Sequence, residues 1–311
     1  MSYTKKCFTF ASSNGRDDVY AEILVPDTEP IGILQISHGM IDHSGRYEYL
    51  KELLTSRSLI VAISDHIGHG RTARDRDDLG YLGKDGRHRI VDDLYTLNRI
   101  LHEDYPNLDT VLFGHSMGSF MARLYAERYP DSIKGVVIHG TGGKNPALIP
   151  GLAVVNIIGA IKGDRHRSEL VRGLAFDGYN KRFDKSEGSD AWLTSVPELV
   201  ADRKTDPYTT FTFTLSGYKE LFSALGECNS PAHFAAYPKE LATLIVSGRD
   251  DPVGDFGKGV EWVYGQLKKN GVSDVTMKLY DGARHELFNE RERDVINAEI
   301  IDWICEVLAR K

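Results

Sequence analysis

The stretch Thr110-Val-Leu-Phe-Gly-His-Ser-Met-Gly118, continued by Ser119 to Tyr129, decides the fold. An apolar run, Thr110 to Phe113, meets Gly114-His115-Ser116-Met117-Gly118, and beyond it Phe120, Leu124 and Tyr125 recur at helical spacing. A strand therefore passes at once into a helix, with Gly-x-Ser-x-Gly at the join. So sharp a turn strains the serine backbone and crowds the residues two places away on either side, so both must lack a Cβ. Ser116 is thereby lifted above the sheet edge, where helix N–H groups and the positive end of the helix dipole favour an oxyanion. This is the context in which a serine becomes a nucleophile.

Strand–helix alternation extends outward from that join. Cys7–Ala11 and Val19–Val25 read as a hairpin about Asn14-Gly15. Residues 31–37, 59–64, 134–139, 241–246 and 275–280 read as further strands. Between them lie helices carrying Tyr47, Leu50 and Leu54, then Ile90, Leu94, Leu97 and Leu101, then residues 257–269. A terminal helix is expected to turn Val295, Ile300, Ile304 and Leu308 inward. From Lys144 to about Pro238 the alternation stops. The expectation is an α/β fold of about eight mostly parallel strands flanked by helices. Residues 1–143 and 239–311 form its core, and 144–238 form a mainly helical insertion over the carboxyl ends of the strands, where ligands of such sheets bind.

A serine nucleophile needs a base, and the base an orienting carboxylate. For a serine on such a turn they follow in the chain order acid, then histidine. After strand 241–246 comes Ser247-Gly-Arg-Asp250-Asp251-Pro252, and after strand 275–280 comes Asp281-Gly-Ala-Arg-His285-Glu286. Both segments leave the sheet on the edge that carries Ser116. Pro252 biases Asp251 toward extended backbone, which favours Asp251 over Asp250 as the rigidly held acid. His285 is chosen among 11 histidines by position. His139 also ends a strand but precedes the insertion, and His115 is the variable residue of the turn. Two backbone N–H groups should hold the oxyanion, those of Met117 and, from the loop after strand 31–37, Met40.

Composition narrows the field. A formal charge of −7 and dispersed Lys and Arg argue against a nucleic-acid partner. No secretory apolar core opens the chain, and the most apolar window, Gly151 to Ile161, is too short to span a bilayer, so a cytoplasmic location is expected. Three well-separated cysteines read as reduced thiols. Gly68-x-Gly70-x-x-Ala73 leads into Arg-Asp-Arg-Asp-Asp, which suits no phosphate. Asp65, His66 and His69 lack the spacing of a metal site and read as a loop network. No metal or organic cofactor is expected. In the insertion, Leu152, Val155, Ile158 and Ile161 read first as a packed helix and second as a lip that touches a membrane surface transiently. Phe211 and Phe213 alternate with threonines as in a strand.

At these residues the chain resembles the α/β-hydrolase superfamily, and within it the monoacylglycerol lipase and lysophospholipase branch. The narrower likeness rests on His38-Gly-Met-Ile-Asp42-His-Ser-Gly-Arg46-Tyr47, on Asp65-His-Ile-Gly-His-Gly70, on His115 and on Gly282-Ala-Arg-His285-Glu286. Asp206-Pro207, Phe213-Thr214 and Tyr218 resemble the cap of that branch, which implies cap loops or helix rather than strand there. Asp42 stands where glutamate is usual, Ile67 where arginine is common, and Trp192-Leu-Thr-Ser-Val196 lacks the usual Arg-Asp. The resemblance implies a small-molecule acyl ester as substrate. Two alternatives remain open: a peptidase of the same fold, for which Glu169, Asp177 and Asp184 are available to grip an ammonium group, and a non-catalytic binding protein.

Overall fold

Alternate Val, Ile and Leu residues too apolar for either face to meet water make most of the strands in the computed structural model, which describes residues 2–310. The strands are β1 (Tyr3–Ala11), β2 (Asp18–Pro26), β3 (Gly32–Ser37), β4 (Leu59–Ser64), β5 (Thr110–His115), β6 (Gly135–His139), β7 (Ala242–Gly248) and β8 (Val275–Tyr280). They form one sheet in the order β1-β2-β4-β3-β5-β6-β7-β8. The β1–β2 and β2–β4 pairs are antiparallel and the others parallel. Every residue of β3, β4, β5, β6 and β7 is buried, the expected signature of strands covered on both faces.

Helices α1 (Glu48–Thr55), α2 (Gly86–Asp104) and α3 (Met117–Arg128) follow β3, β4 and β5 in turn. Between β6 and β7 the chain forms α4 (Leu148–Lys162), α5 (Glu169–Phe176), α6 (Pro197–Thr205), α7 (Leu215–Cys228) and α8 (Pro231–Ala236), with no strand among them. Then come α9 (Lys258–Lys269) and α10 (Arg293–Ala309). One face of the sheet is covered by an apolar cluster that includes Leu94, Met121, Tyr125, Val263 and Leu267. The other is covered by Leu50, Leu54, Ile300 and Ile304 from α1 and α10.

Three expectations need correction. Val295 faces solvent at 62% exposure, and its neighbour Ile296 is the inward residue of α10. Residues 211–214 form no strand: Phe213 is buried against the His69 ring while its backbone runs as an irregular connection into α7. Helix α4 packs on one side only, with Val154 and Ile158 against the core cluster. Val155 is its one buried residue, whereas Ile149, Ile157 and Ile161 are 80%, 62% and 79% exposed.

Candidate active site

The carboxyl ends of the parallel strands carry the residues that sequence reasoning singled out. Ser116 joins β5 to α3 at φ 53° and ψ −118°, a backbone conformation that L-residues rarely adopt. Its N–H donates to the His139 carbonyl at 2.9 Å, which fixes the turn against β6. The flanking glycines have the predicted steric reason. A Cβ on Gly118 would run into the Ser37 carbonyl, and one on Gly114 into the Gly118 carbonyl.

Asp251 and His285 meet directly: His285 Nδ1 lies 2.8 Å from Asp251 Oδ2, and both side chains are buried. Asp251 also accepts from Val253 N–H at 2.8 Å and from Ser247 Oγ at 3.1 Å, so its carboxylate cannot turn away. Asp250 is exposed. With Nδ1 engaged, His285 Nε2 is buried and has no hydrogen-bond partner among the described residues, on a ring that lines the same cavity as Ser116. The structure thus brings Asp251 and His285 into contact and places Ser116 on the shared wall, with no hydrogen bond closing the serine–histidine link.

Met40 and Met117 line that cavity too. Met117 is the first residue of α3, so its N–H precedes the intrahelical ladder. Among the described residues the Met40 N–H has no backbone acceptor. A Cβ on Gly39 would lie 3.2 Å from Ser116 Cβ, so glycine is what lets the β3 loop pass so near the serine.

That loop is tied to the histidine loop. Arg46 Nη1 and Nη2 donate to Glu286 Oε1 and Oε2 at 3.0 and 2.9 Å. Arg46 Nη1 also donates to Asp42 Oδ1 at 3.1 Å, and the Tyr47 hydroxyl donates to Asp42 Oδ2 at 2.9 Å. The shorter Asp42 therefore still reaches both partners. Burial opposes its ionisation, but the Arg46 guanidinium and the donating Tyr47 hydroxyl hold it at about 2. Ile67 is buried in the core rather than facing the cavity.

Several features were not anticipated. The Trp192 ring lies 5.0 Å from that of His285, its carbonyl accepts the His285 N–H at 3.4 Å, and Leu193 O accepts the Glu286 N–H at 2.7 Å. Arg284 donates to Ala191 O at 2.6 Å and to Glu187 at 2.7 Å. The helical block thus buttresses the histidine loop, which no local periodicity could announce. Around the site His38, His66, His69, His115 and His139 are all buried. Burial pushes each of them down, His69 and His139 to about 3, so they stay neutral. His66 Nε2 lies 3.0 Å from Ser37 Oγ, and Asp65 accepts from Ser44 N–H and Arg71 N–H at 2.7 and 2.8 Å.

The cavity measures about 950 Å³. Its lining includes the apolar Leu148, Val154, Phe176, Leu221, Phe222 and Leu225 and the charged Asp42, Arg46, Asp190, Arg203 and Glu286. Of the three acidic residues considered for a peptidase, Asp177 reaches the wall and Glu169 and Asp184 lie exposed.

A doubly covered parallel sheet with a serine on the strained turn after β5 and a buried Asp–His pair beyond β7 and β8 defines an α/β-hydrolase. The chain belongs to the family described as serine aminopeptidase, S33, which matches residues 28–292. It is 30% identical over 99% of its length to the whole of a monoacylglycerol lipase of Mycolicibacterium smegmatis. It is 31% identical to monoglyceride lipase of Rattus norvegicus, over 91% of this chain and 86% of that one. The structure of a thermostable carboxyl esterase from Bacillus coagulans in complex with glycerol superposes with a TM-score of 0.92 at 32% identity, covering 99% of this chain and 100% of that one. The chain resembles the monoacylglycerol lipase branch of the superfamily. No described helix is long and apolar enough to cross a membrane.

Proposed function

We propose that the chain is a serine hydrolase of carboxylic esters that join an acyl chain to a small polar head such as glycerol. Ser116 Oγ attacks the ester carbonyl as His285 Nε2 takes its proton, and the Met40 and Met117 N–H groups hold the oxyanion. The tetrahedral species collapses, the C–O bond breaks, and His285 returns the proton to the leaving alcohol. Water, deprotonated by the same nitrogen, then cleaves the acyl-enzyme to the acid and free Ser116. Asp251 keeps the imidazole in the tautomer with hydrogen on Nδ1 and stabilises its cation.

One observation carries this reading: a buried imidazole whose Nδ1 is held on a carboxylate, while Nε2, without a partner among the described residues, stands on a cavity wall shared with a strained serine. The mixed lining of the cavity supports the substrate class, since an acyl chain suits its apolar side chains and a hydroxylated head its charged ones. The esterase complexed with glycerol and the monoacylglycerol lipase relatives support it as well. Residues 144–238 act as a cap, and exposed Ile149, Ile157 and Ile161 suit transient contact with a lipid surface from which substrate is drawn. The unpaired cysteines Cys7, Cys228 and Cys305 agree with a cytoplasmic location.

The test is turnover of monoacylglycerols, lysophospholipids, p-nitrophenyl esters and aminoacyl amides by the wild type and Ser116→Ala. Monoacylglycerol turnover that falls by about 10⁶ in kcat in the variant is expected. Amide turnover without ester turnover would refute the assignment.

A further inference from the structure

Arg123 lies two turns beyond Ser116 on α3 and is fully buried. Among the described residues it has no carboxylate partner, and its Nε and Nη1 are unpartnered. Its carbon Cζ lies 5.4 Å from the centre of the Phe234 ring, which offsets part of the cost of burying the charge. A guanidinium with no buried anion is still costly and calls for a reason beyond filling space. Nη2 donates to the carbonyl of Cys228 and, at 3.0 Å, to Asn229 Oδ1. Cys228 ends α7, where the helix dipole is negative and its carbonyls lack intrahelical partners. Arg123 therefore caps the carboxyl end of α7 from the nucleophile helix.

Asn229 carries the connection further. Its Nδ2 group donates to the carbonyls of Gly142, Gly143 and Leu225 at 3.2, 3.1 and 3.0 Å. Gly142 and Gly143 are where the chain leaves β6 to enter the helical block, and Asn229 lies where it is about to return. Both ends of the block are thus joined through one amide and bolted to α3 by one guanidinium. Tyr218, Leu221, Phe222 and Leu225 of α7 give the cavity an apolar wall, and Gly142 and Gly143 line it too. A Cβ on Gly142 would lie 3.1 Å from Leu225 Cδ1, so the two sides of that wall touch.

We propose that Arg123 and Asn229 are positioning residues that fix the apolar wall at a set distance from Ser116 and thereby determine which acyl chain lengths are hydrolysed. The inference rests on the ester-hydrolase reading of Ser116. Short esters, which do not reach α7, are indifferent to the clamp. Long ones depend on it.

Two variants separate this role from a structural one. Asn229→Asp keeps the acceptor for Arg123 and the side-chain volume but loses both donors to the glycine carbonyls. Arg123→Met keeps an unbranched apolar stem and removes the guanidinium, and its melting temperature is read beside its kinetics. With p-nitrophenyl acetate and p-nitrophenyl dodecanoate as probes, each variant should keep kcat/KM for acetate and lose about tenfold for dodecanoate, through KM, the value of a hydrogen bond or so. A role confined to stability would lower the melting temperature and leave the dodecanoate-to-acetate ratio unchanged. In wild-type hydrogen exchange, the amides of 140–143 and of the last turn of α7 should open together, and independent opening would overturn the clamp whether or not the variants fold. An active wild type whose variants keep its ratio would overturn the clamp alone. A wild type inert toward both esters and toward monoacylglycerols would overturn the hydrolase reading and the clamp with it.

Discussion

The sheet and the helical block between β6 and β7 use the same apolar residue types in opposite ways. In β5 and β6 Val111, Leu112, Val136, Val137 and Ile138 are sealed between helices, whereas in α4 Ile149, Ile157 and Ile161 stand in solvent. Apolar character thus marks a core only where the fold supplies a second layer. On the outer side of α4 it marks a surface left in solvent, whereas Val155, Val171, Leu215 and Tyr218 of the same block are buried.

The largest effects should come from the sheet side. Asp251→Asn should lower kcat by about 10⁴, because the amide stabilises the wrong tautomer, while exposed Asp250→Asn leaves it unchanged. Steady-state kinetics on a soluble ester decides this, and the reverse pattern would move the acid to residue 250. Next, Gly39→Ala puts a methyl within 3.2 Å of Ser116 Cβ and 3.1 Å of His115 Cδ2. Displacement of the Met40 amide should cost about 10²–10³ in kcat with circular dichroism unaltered.

The block side should respond differently. Ile149→Ser, Ile157→Ser and Ile161→Ser combined should leave the melting temperature and soluble-ester turnover as they are. Hydrolysis of monoacylglycerol in anionic vesicles should fall by about tenfold. Equal loss on both substrates would show that α4 shapes the cavity rather than meeting lipid.

The smallest effect is acid sensitivity. A histidine with a depressed folded value resists a proton that the unfolded chain accepts near 6.5, so stability is intact above that pH and lost as pH falls toward about 3, the folded value for His69. The slope is about 1.4 kcal/mol per pH unit per histidine, about 2–4 °C at this size. Melting curves between pH 6.5 and 4 should be flatter by that increment in His69→Asn.

The contrast between the two regions also explains what the sequence disclosed. Strands buried on both faces read as continuous apolar runs, and Ser116 and Asp251 each stand just past one, while His285 follows the partly exposed β8; chain order and strand ends were enough to single out these three candidates. Gly114 and Gly118 announced the strained turn because no other residue fits there. The block offered no such regularity: α4 is apolar all round, so its pattern could not distinguish burial from exposure. The support given to His285 by Trp192 and Arg284, and the bond from Asn229 to Gly142, join residues 93, 93 and 87 positions or more apart in chain, with no shared period to reveal them. Val295 faces outward for a simpler reason, since Ile296 stands four residues before Ile300 and so leads the inward row of α10.

The central claim is that Ser116 is a nucleophile activated by His285, and covalent labelling tests it most directly. Incubation with a fluorophosphonate followed by intact-mass and peptide mass spectrometry should find one adduct, on Ser116, formed quickly in the wild type and slowly in His285→Ala. No adduct on the folded wild type, or one that forms as fast without the imidazole, would contradict the claim.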